Sequence, residues 1–199
     1  PLQQVFFPAF SRMGDDLPRM ADTWIRATRL VAVISIPAFV GLVVVAPDGL
    51  VLPQAVADSP GVAGKALAVT FLDTQCTDAC PIAASQVAEA MRLLGEDRGS
   101  VLALGYSVDP LNDTPASIRS FLAKNRATGE IRYVDGTVAE LRPIWTEFKI
   151  MASHGTGNSN MHSAPVRVYD ADGRWRSTLH PGFDLTAANL ANDLRAALE

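Results

Sequence analysis

Cysteine is nearly missing from this chain: among 199 residues there are two, Cys76 and Cys80, and histidine is scarce as well, with three. A protein stapled by disulfides spreads its cysteines along the chain. Two cysteines in one short motif exclude such a framework. An excess of positive charge is also lacking: 17 Lys and Arg stand against 21 Asp and Glu, a net charge of −4. Nucleic acid is thereby excluded as a partner, because phosphate binding needs a basic face. There is no internal repeat and no low-complexity tract. What remains is a chain long enough for one domain plus an appendage, with a hydrophobic fraction of 48% that allows a full core.

The organisation changes along the chain. Residues 1–29 are polar and carry Arg12, Arg19, Arg26 and Arg29. Residues 30–46, LVAVISIPAFVGLVVVA, hold no charge, and at 17 residues sit at the lower edge of what can span a bilayer. Pro37 inside the run is better tolerated in a membrane helix than in a soluble one. A buried core helix is the alternative. Residues 47–63 contain Asp48 and Asp58 but no Lys or Arg, so the positive-inside bias keeps the N-terminus in the cytoplasm. The expectation is a single-pass protein of the cell membrane, anchored by residues 30–46, with its C-terminal domain extracytoplasmic. Residues 47–63, rich in Pro, Gly and Ala, read as a linker, and residues 64–199 as the folded domain.

Within 64–199 strand and helix signals alternate. Residues 66–72 (ALAVTFL) and 101–107 (VLALGYS) are apolar runs of strand length. Pro81 opens a helix to about Leu94. Thr114-Pro115 caps the next helix, to about Lys124. Residues 131–134 form a short strand, and 137–148 a helix with Val138, Leu141, Ile144, Trp145 and Phe148 on one side. Residues 165–169 and 175–179 flank the turn signal DADG, and 185–198 close the chain as an amphipathic helix. The order β-α-β-α-β-α-β-β-α predicts an α/β fold: a thioredoxin-like mixed β-sheet with helices on both faces, preceded by the N-terminal hydrophobic helix.

The chemistry concentrates in TFLDTQCTDACP, residues 70–81. A buried strand runs out into a loop bearing Cys76, and a helix starts with Cys80 at or next to its N-cap. The free N–H groups of a first helical turn favour a thiolate there, so a lowered pKa is expected for that cysteine. Two thiolates four positions apart can reach one soft metal ion. Sulfur ligands select Cu(I), with Zn as competitor. Two small buried residues would be the ordinary alternative. A nitrogen would complete a trigonal site. His162 stands just before a core strand, in a loop that lies beside the cysteine loop in a thioredoxin-like fold. His154 lies in the Gly-, Ser- and Asn-rich stretch SHGTGNSN, and His180 follows the last strand, farther away.

TFLDTQCTDACP, then YSVDPLNDTPASIRSFL, then HS before a strand ending in DADGR, resemble the Sco/SenC family over roughly residues 64–198. The resemblance implies a thioredoxin-like fold and copper held by Cys76, Cys80 and His162, as Cu(I), with Cu(II) left open. It implies a metallochaperone that delivers copper to an oxidase subunit, for assembly of the dinuclear copper site of cytochrome c oxidase. Asp78 matches a frequent acidic position, with a loop-capping carboxylate as the plain alternative. Asp109 and Pro110 match the family's SVDP motif and are expected to shape the floor of the site. A proline opens the strand beside the cysteines in thioredoxins in the cis form, and the same is expected of Ala164–Pro165. One departure concerns LVLPQAVADSP, which stands where the family has a hairpin and strand, so one sheet edge is expected to be altered. Residues 1 to about 50 are similar to part of a polysaccharide flippase, a stretch too short for a transporter.

A second function stays open: an extracytoplasmic thiol–disulfide oxidoreductase cycling Cys76 and Cys80, for which His162 is unnecessary. A peroxidase of the peroxiredoxin type is disfavoured, because Asp73 stands where that site needs a threonine.

Overall fold

The structure, a computed structural model, describes residues 51–199 and, before them, Ile25 alone. Strand β1 (Ala66–Leu72) is buried at all seven positions. A run with no polar alternation must be covered on both faces, so β1 belongs at the centre of a sheet. It pairs in parallel with β2 (Val101–Ser107) and antiparallel with β4 (Val166–Tyr169). Beyond β2 lies parallel β3 (Ile131–Val134), and beyond β4 lies antiparallel β5 (Trp175–Leu179), giving the order β3-β2-β1-β4-β5.

The period of two along β1 divides the core. Ala66, Ala68 and Leu72 face one cluster, packed with Val87 and Met91 of one helix and Leu190 and Leu194 of another. Leu67, Val69 and Phe71 face the second, packed with Leu141, Trp145, Phe148 and Tyr169. The helices on the first side are α2 (Ala79–Leu93) and α5 (Ala187–Ala196); α4 (Val138–Glu147) covers the second. Between β2 and β3 runs α3 (Pro115–Lys124), whose N-cap Thr114 accepts the Ser117 N–H. A capping box between Thr137 and Glu140 starts α4. Gly105 in β2 answers a close approach: a Cβ there would lie 2.7 Å from Leu72 Cδ1. The mixed sheet covered by helices on both faces is the thioredoxin-like architecture expected.

Three expectations change. Residues 47–63 do not read as linker throughout: Gln54–Ala57 form a short helix, α1, and Leu52, Val56 and Val62 are buried against the second cluster. Val51 bridges Arg174, and the Leu52 N–H donates to the Gly173 carbonyl at 2.7 Å. This segment therefore docks on the end of the β4–β5 hairpin. Composition gave no sign of that, because three apolar side chains are enough to anchor a Pro- and Gly-rich stretch. Secondly, the described residues contain no cis peptide bond, so Ala164–Pro165 is trans. Pro165 lies just before β4, where its missing N–H costs no ladder bond and a trans proline serves.

Thirdly, the single-pass membrane localisation is withdrawn. Among the described residues no helix is long and apolar enough to cross a membrane. Residues 30–46, on which that expectation and the N-terminal hydrophobic helix rested, lie outside the described residues. Their 17 residues, interrupted by Pro37, had only hydropathy and flanking charge in their favour.

Candidate metal centre

The carboxyl end of β1 releases the chain into a tight turn, in which the Cys76 N–H donates to the Asp73 carbonyl at 3.2 Å. Asp73 builds this turn with its side chain. Its Oδ1 accepts the Gln75 N–H at 2.7 Å, and its Oδ2 accepts the Ser153 hydroxyl at 2.6 Å. Asp113 holds the next residue from the other side. It accepts the Thr74 N–H at 2.9 Å, the Ser107 hydroxyl at 2.6 Å and the Tyr133 hydroxyl at 2.7 Å. Both carboxylates are fully buried. Buried polar oxygens need hydrogen-bond partners, and these two find theirs in groups that position the cysteine loop.

Helix α2 begins at Ala79 with Asp78 as N-cap, whose side chain makes no capping bond. Cys80 is thus the second helical residue. It is fully buried, and its sulfur accepts the Asp73 N–H at 3.3 Å. Across from it, His162 Nε2 lies 3.2 Å from Cys80 Sγ. The ring's other nitrogen, Nδ1, lies 3.2 Å from the Ser163 carbonyl. A carbonyl can only accept, so Nδ1 carries the proton in that bond, and in the neutral ring the lone pair sits on Nε2, facing sulfur. The ligand atoms of Cys76, Cys80 and His162 all lie within 4.8 Å of one another. One ion can bridge such a span.

The two thiols differ sharply. A hydrogen bond from the Cys80 thiol draws Cys76 down to about 3, outweighing its burial, with His162 and the N–H groups of Cys80 and Asp78 adding to the shift. Cys80 moves the other way: burial raises it, and the neighbouring Cys76 raises it further. The expectation that helix α2 would acidify Cys80 is corrected. At zero exposure the desolvation cost of a thiolate exceeds the help of the helix terminus, and the acidic thiol is Cys76. For His162, burial opposes protonation. The Cys76 sulfur, the Ser163 carbonyl and the charges of Cys76 and Asp73 together outweigh it and raise the pKa. The metal-free pair is therefore one thiolate beside one thiol.

This makes a prediction. The Cys76 thiolate is present above its lowered pKa and lost only as pH falls through about 3. In the reduced protein, far-ultraviolet thiolate absorbance should stay at one thiolate between about pH 5 and pH 8, where an ordinary cysteine is protonated. Cys76→Ser should abolish it. Absorbance that rises only near the ordinary cysteine range would contradict the assignment.

The other residues singled out by the sequence sit elsewhere. His154 Nδ1 lies 3.6 Å from Asp109 Oδ1, and its ring lies 6.4 Å from that of Trp145. His180 pairs with Asp184 at 3.7 Å on the surface. Asp109 accepts from Asn112 Nδ2 at 2.6 Å and lines a cavity of about 510 Å³ beside the cysteine loop, with Pro110 next in the turn. The turn that leads into Cys76 is held by Asp73 and Asp113. These two, with Ser153, escaped sequence reasoning. The local signals were an aspartate two residues before a backbone N–H it can cap, in DTQ, and another just ahead of a Thr-Pro helix start.

Comparison with known proteins follows the same outline. Residues 54–199 match the SCO1/SenC family profile, and residues 1–52 match that of a polysaccharide biosynthesis protein. An SCO2-like protein of Rickettsia conorii is 21% identical over 118 residues, which take in 56% of this chain and 57% of that one. The chain thus spans little more than half the length of the curated relatives it matches. The structure of ScoI from Bradyrhizobium japonicum with copper bound shares 28% identity at a TM-score of 0.58, covering 69% of this chain and 87% of that one. BsSco, a member of the Sco family of cytochrome c oxidase assembly proteins with a disulfide switch, shares the fold at 18% identity and a TM-score of 0.58, over 71% and 86% of the two chains.

Proposed function

Because this chain belongs to the SCO1/SenC family, we propose that it is a copper carrier, whose cargo is held by Cys76 Sγ, Cys80 Sγ and His162 Nε2. The observation that carries the reading is the convergence of those three ligand atoms within 4.8 Å. Two sulfurs and an imidazole form a soft, three-point donor set that suits Cu(I). Three-fold ligation leaves the ion approachable, so a partner's sulfur or nitrogen can enter as one ligand of the carrier departs. The copper-bound Bradyrhizobium structure supports the same choice of metal. The receiving protein we assign is an oxidase subunit, in keeping with the family's role. The domain that does this work is residues 64–199, with 52–62 docked on it.

The protonation states set the direction of the pH dependence. Cys76 meets the metal already ionised, whereas Cys80 must lose its proton on binding, and His162, with its raised pKa, must be neutral to ligate. Binding releases protons, so Cu(I) affinity should fall as pH falls. Competition titration under anaerobic conditions checks both points. We expect one Cu(I) per chain, weaker binding at acid pH, and His154→Ala within about twofold of the parent, since His154 faces Asp109 and lies outside the ligand cluster. A parent that binds no copper, or a His154→Ala variant that loses it, would overturn the ligand set.

A second reading rests on the same sulfurs. A thiolate at Cys76 beside a protonated thiol at Cys80 is also the resting form of a dithiol pair that attacks a partner's disulfide. His162→Ala separates the two: thiol exchange should survive it unchanged, whereas copper binding should be strongly weakened.

A further inference from the structure

We propose that Asn160 is a positioning residue, a latch that ties the histidine loop to the cysteine loop and holds Cys76 and His162 within ligating reach before metal arrives. The inference rests on the copper-carrier reading. Cys76 and His162 lie on two loops far apart in sequence, and neither loop is part of the sheet. The histidine loop is irregular: Gly155 and Gly157 both take positive φ, +77° and +73°. Loops of this kind move unless tied down.

The ties are specific. Asn160 Oδ1 accepts the Thr77 N–H at 2.9 Å, and Asn160 Nδ2 donates to the Thr77 hydroxyl at 3.3 Å. One residue earlier, the Ser159 hydroxyl donates to the Gln75 carbonyl at 3.2 Å. Cys76 is the residue between these two anchor points. On its own loop Asn160 is braced in turn, its N–H donating to Asn158 Oδ1 at 3.0 Å, while the Met161 N–H donates to the Asn158 carbonyl at 3.0 Å. His162 follows two residues later. The amide thus grips the neighbour of one ligand from a turn that carries another.

The latch differs from the rest of the support. Asp73, Asp113 and Ser153 are buried, and removing them disturbs the core. Asn160 and Thr77 are exposed. Truncating Asn160 leaves no buried group unpaired, so the folded domain should be as stable as before. What should be lost is preorganisation: the free energy of bringing two loops together falls on the binding step instead. Two modest hydrogen bonds of this kind correspond to about tenfold in affinity.

The test uses the full chain with the Asn160→Ala variant and three readouts. The latch predicts a melting temperature of the metal-free protein unchanged from the parent. It also predicts about tenfold weaker Cu(I) binding by competition titration. In the metal-free protein, the Thr77 amide should exchange with solvent slowly in the parent and faster in the variant. Ser159→Ala should weaken binding in the same direction by less. Equal Thr77 exchange in parent and variant, or copper affinity within twofold, would overturn the latch. A melting temperature lowered along with affinity would overturn the positioning role in favour of a structural one. A parent that bound no copper at all would sink the carrier reading and with it Asn160's part in ligation. The Thr77 amide would still report separately whether the two loops are tied.

Discussion

His162→Ala is expected to weaken Cu(I) binding by at least about a hundredfold, close to 2.8 kcal/mol, while leaving both cysteines reducible and the fold intact. The magnitude follows from position. His162 Nε2 is 3.2 Å from Cys80 Sγ, and among the described residues His162 is the one histidine that clusters with both sulfurs. Outer-shell partners of metal ligands already cost about 10–100-fold when removed, and a direct ligand costs no less. The remaining pair of sulfurs would keep residual affinity, so the loss is large but incomplete. Cys80→Ser should cost more, because its soft sulfur is exchanged for a hard oxygen in a fully buried position. Isothermal or chelator-competition titration of parent, His162→Ala and Cys80→Ser, side by side, checks the order.

Asp113→Ala should lower the stability of the domain by about 3 kcal/mol, seen as a lower urea midpoint at unchanged slope. The substitution removes the acceptor for the Thr74 N–H, the Ser107 hydroxyl and the Tyr133 hydroxyl together. Tyr133 retains the Leu72 carbonyl at 3.1 Å, so its penalty is partly relieved. The fully buried Ser107 hydroxyl has no such fallback, and a stranded buried donor costs about 1–3 kcal/mol. Asp113→Asn keeps an acceptor in place and should lose about half as much. Because Thr74 leads into the cysteine loop, copper affinity should fall in parallel with stability. A change below about 1 kcal/mol for Asp113→Ala would show that the network does not hold that loop.

Much of this was readable from one chain. Residues 66–72 and 101–107 declare themselves as central strands, because apolar runs that short, without alternation, must be covered on both faces. The start at Thr114, ahead of Pro115, is local capping chemistry and is visible in sequence, whereas the caps at Thr137 and Thr186 emerge only in the structure. The grouping of Cys76, Cys80 and His162, which the structure brings within 4.8 Å, was suggested by the cysteine motif together with the family resemblance. What stayed hidden was long-range or energetic. Ser153 reaches Asp73 across 80 positions, and Asn160 reaches Thr77 across 83; no pattern within either segment announces its partner. The identity of the acidic thiol was hidden for a different reason. Helix position favoured Cys80, but burial decides the matter, and burial is a property of the assembled fold. The docking of Leu52 and Val56 was masked by a composition that usually marks linkers.

X-ray absorption at the copper edge of the anaerobically loaded chain bears most directly on the site. The account predicts one copper with two sulfurs and one imidazole nitrogen in its shell, the nitrogen vanishing in His162→Ala. A shell without nitrogen in the parent, or with a single sulfur, would contradict it.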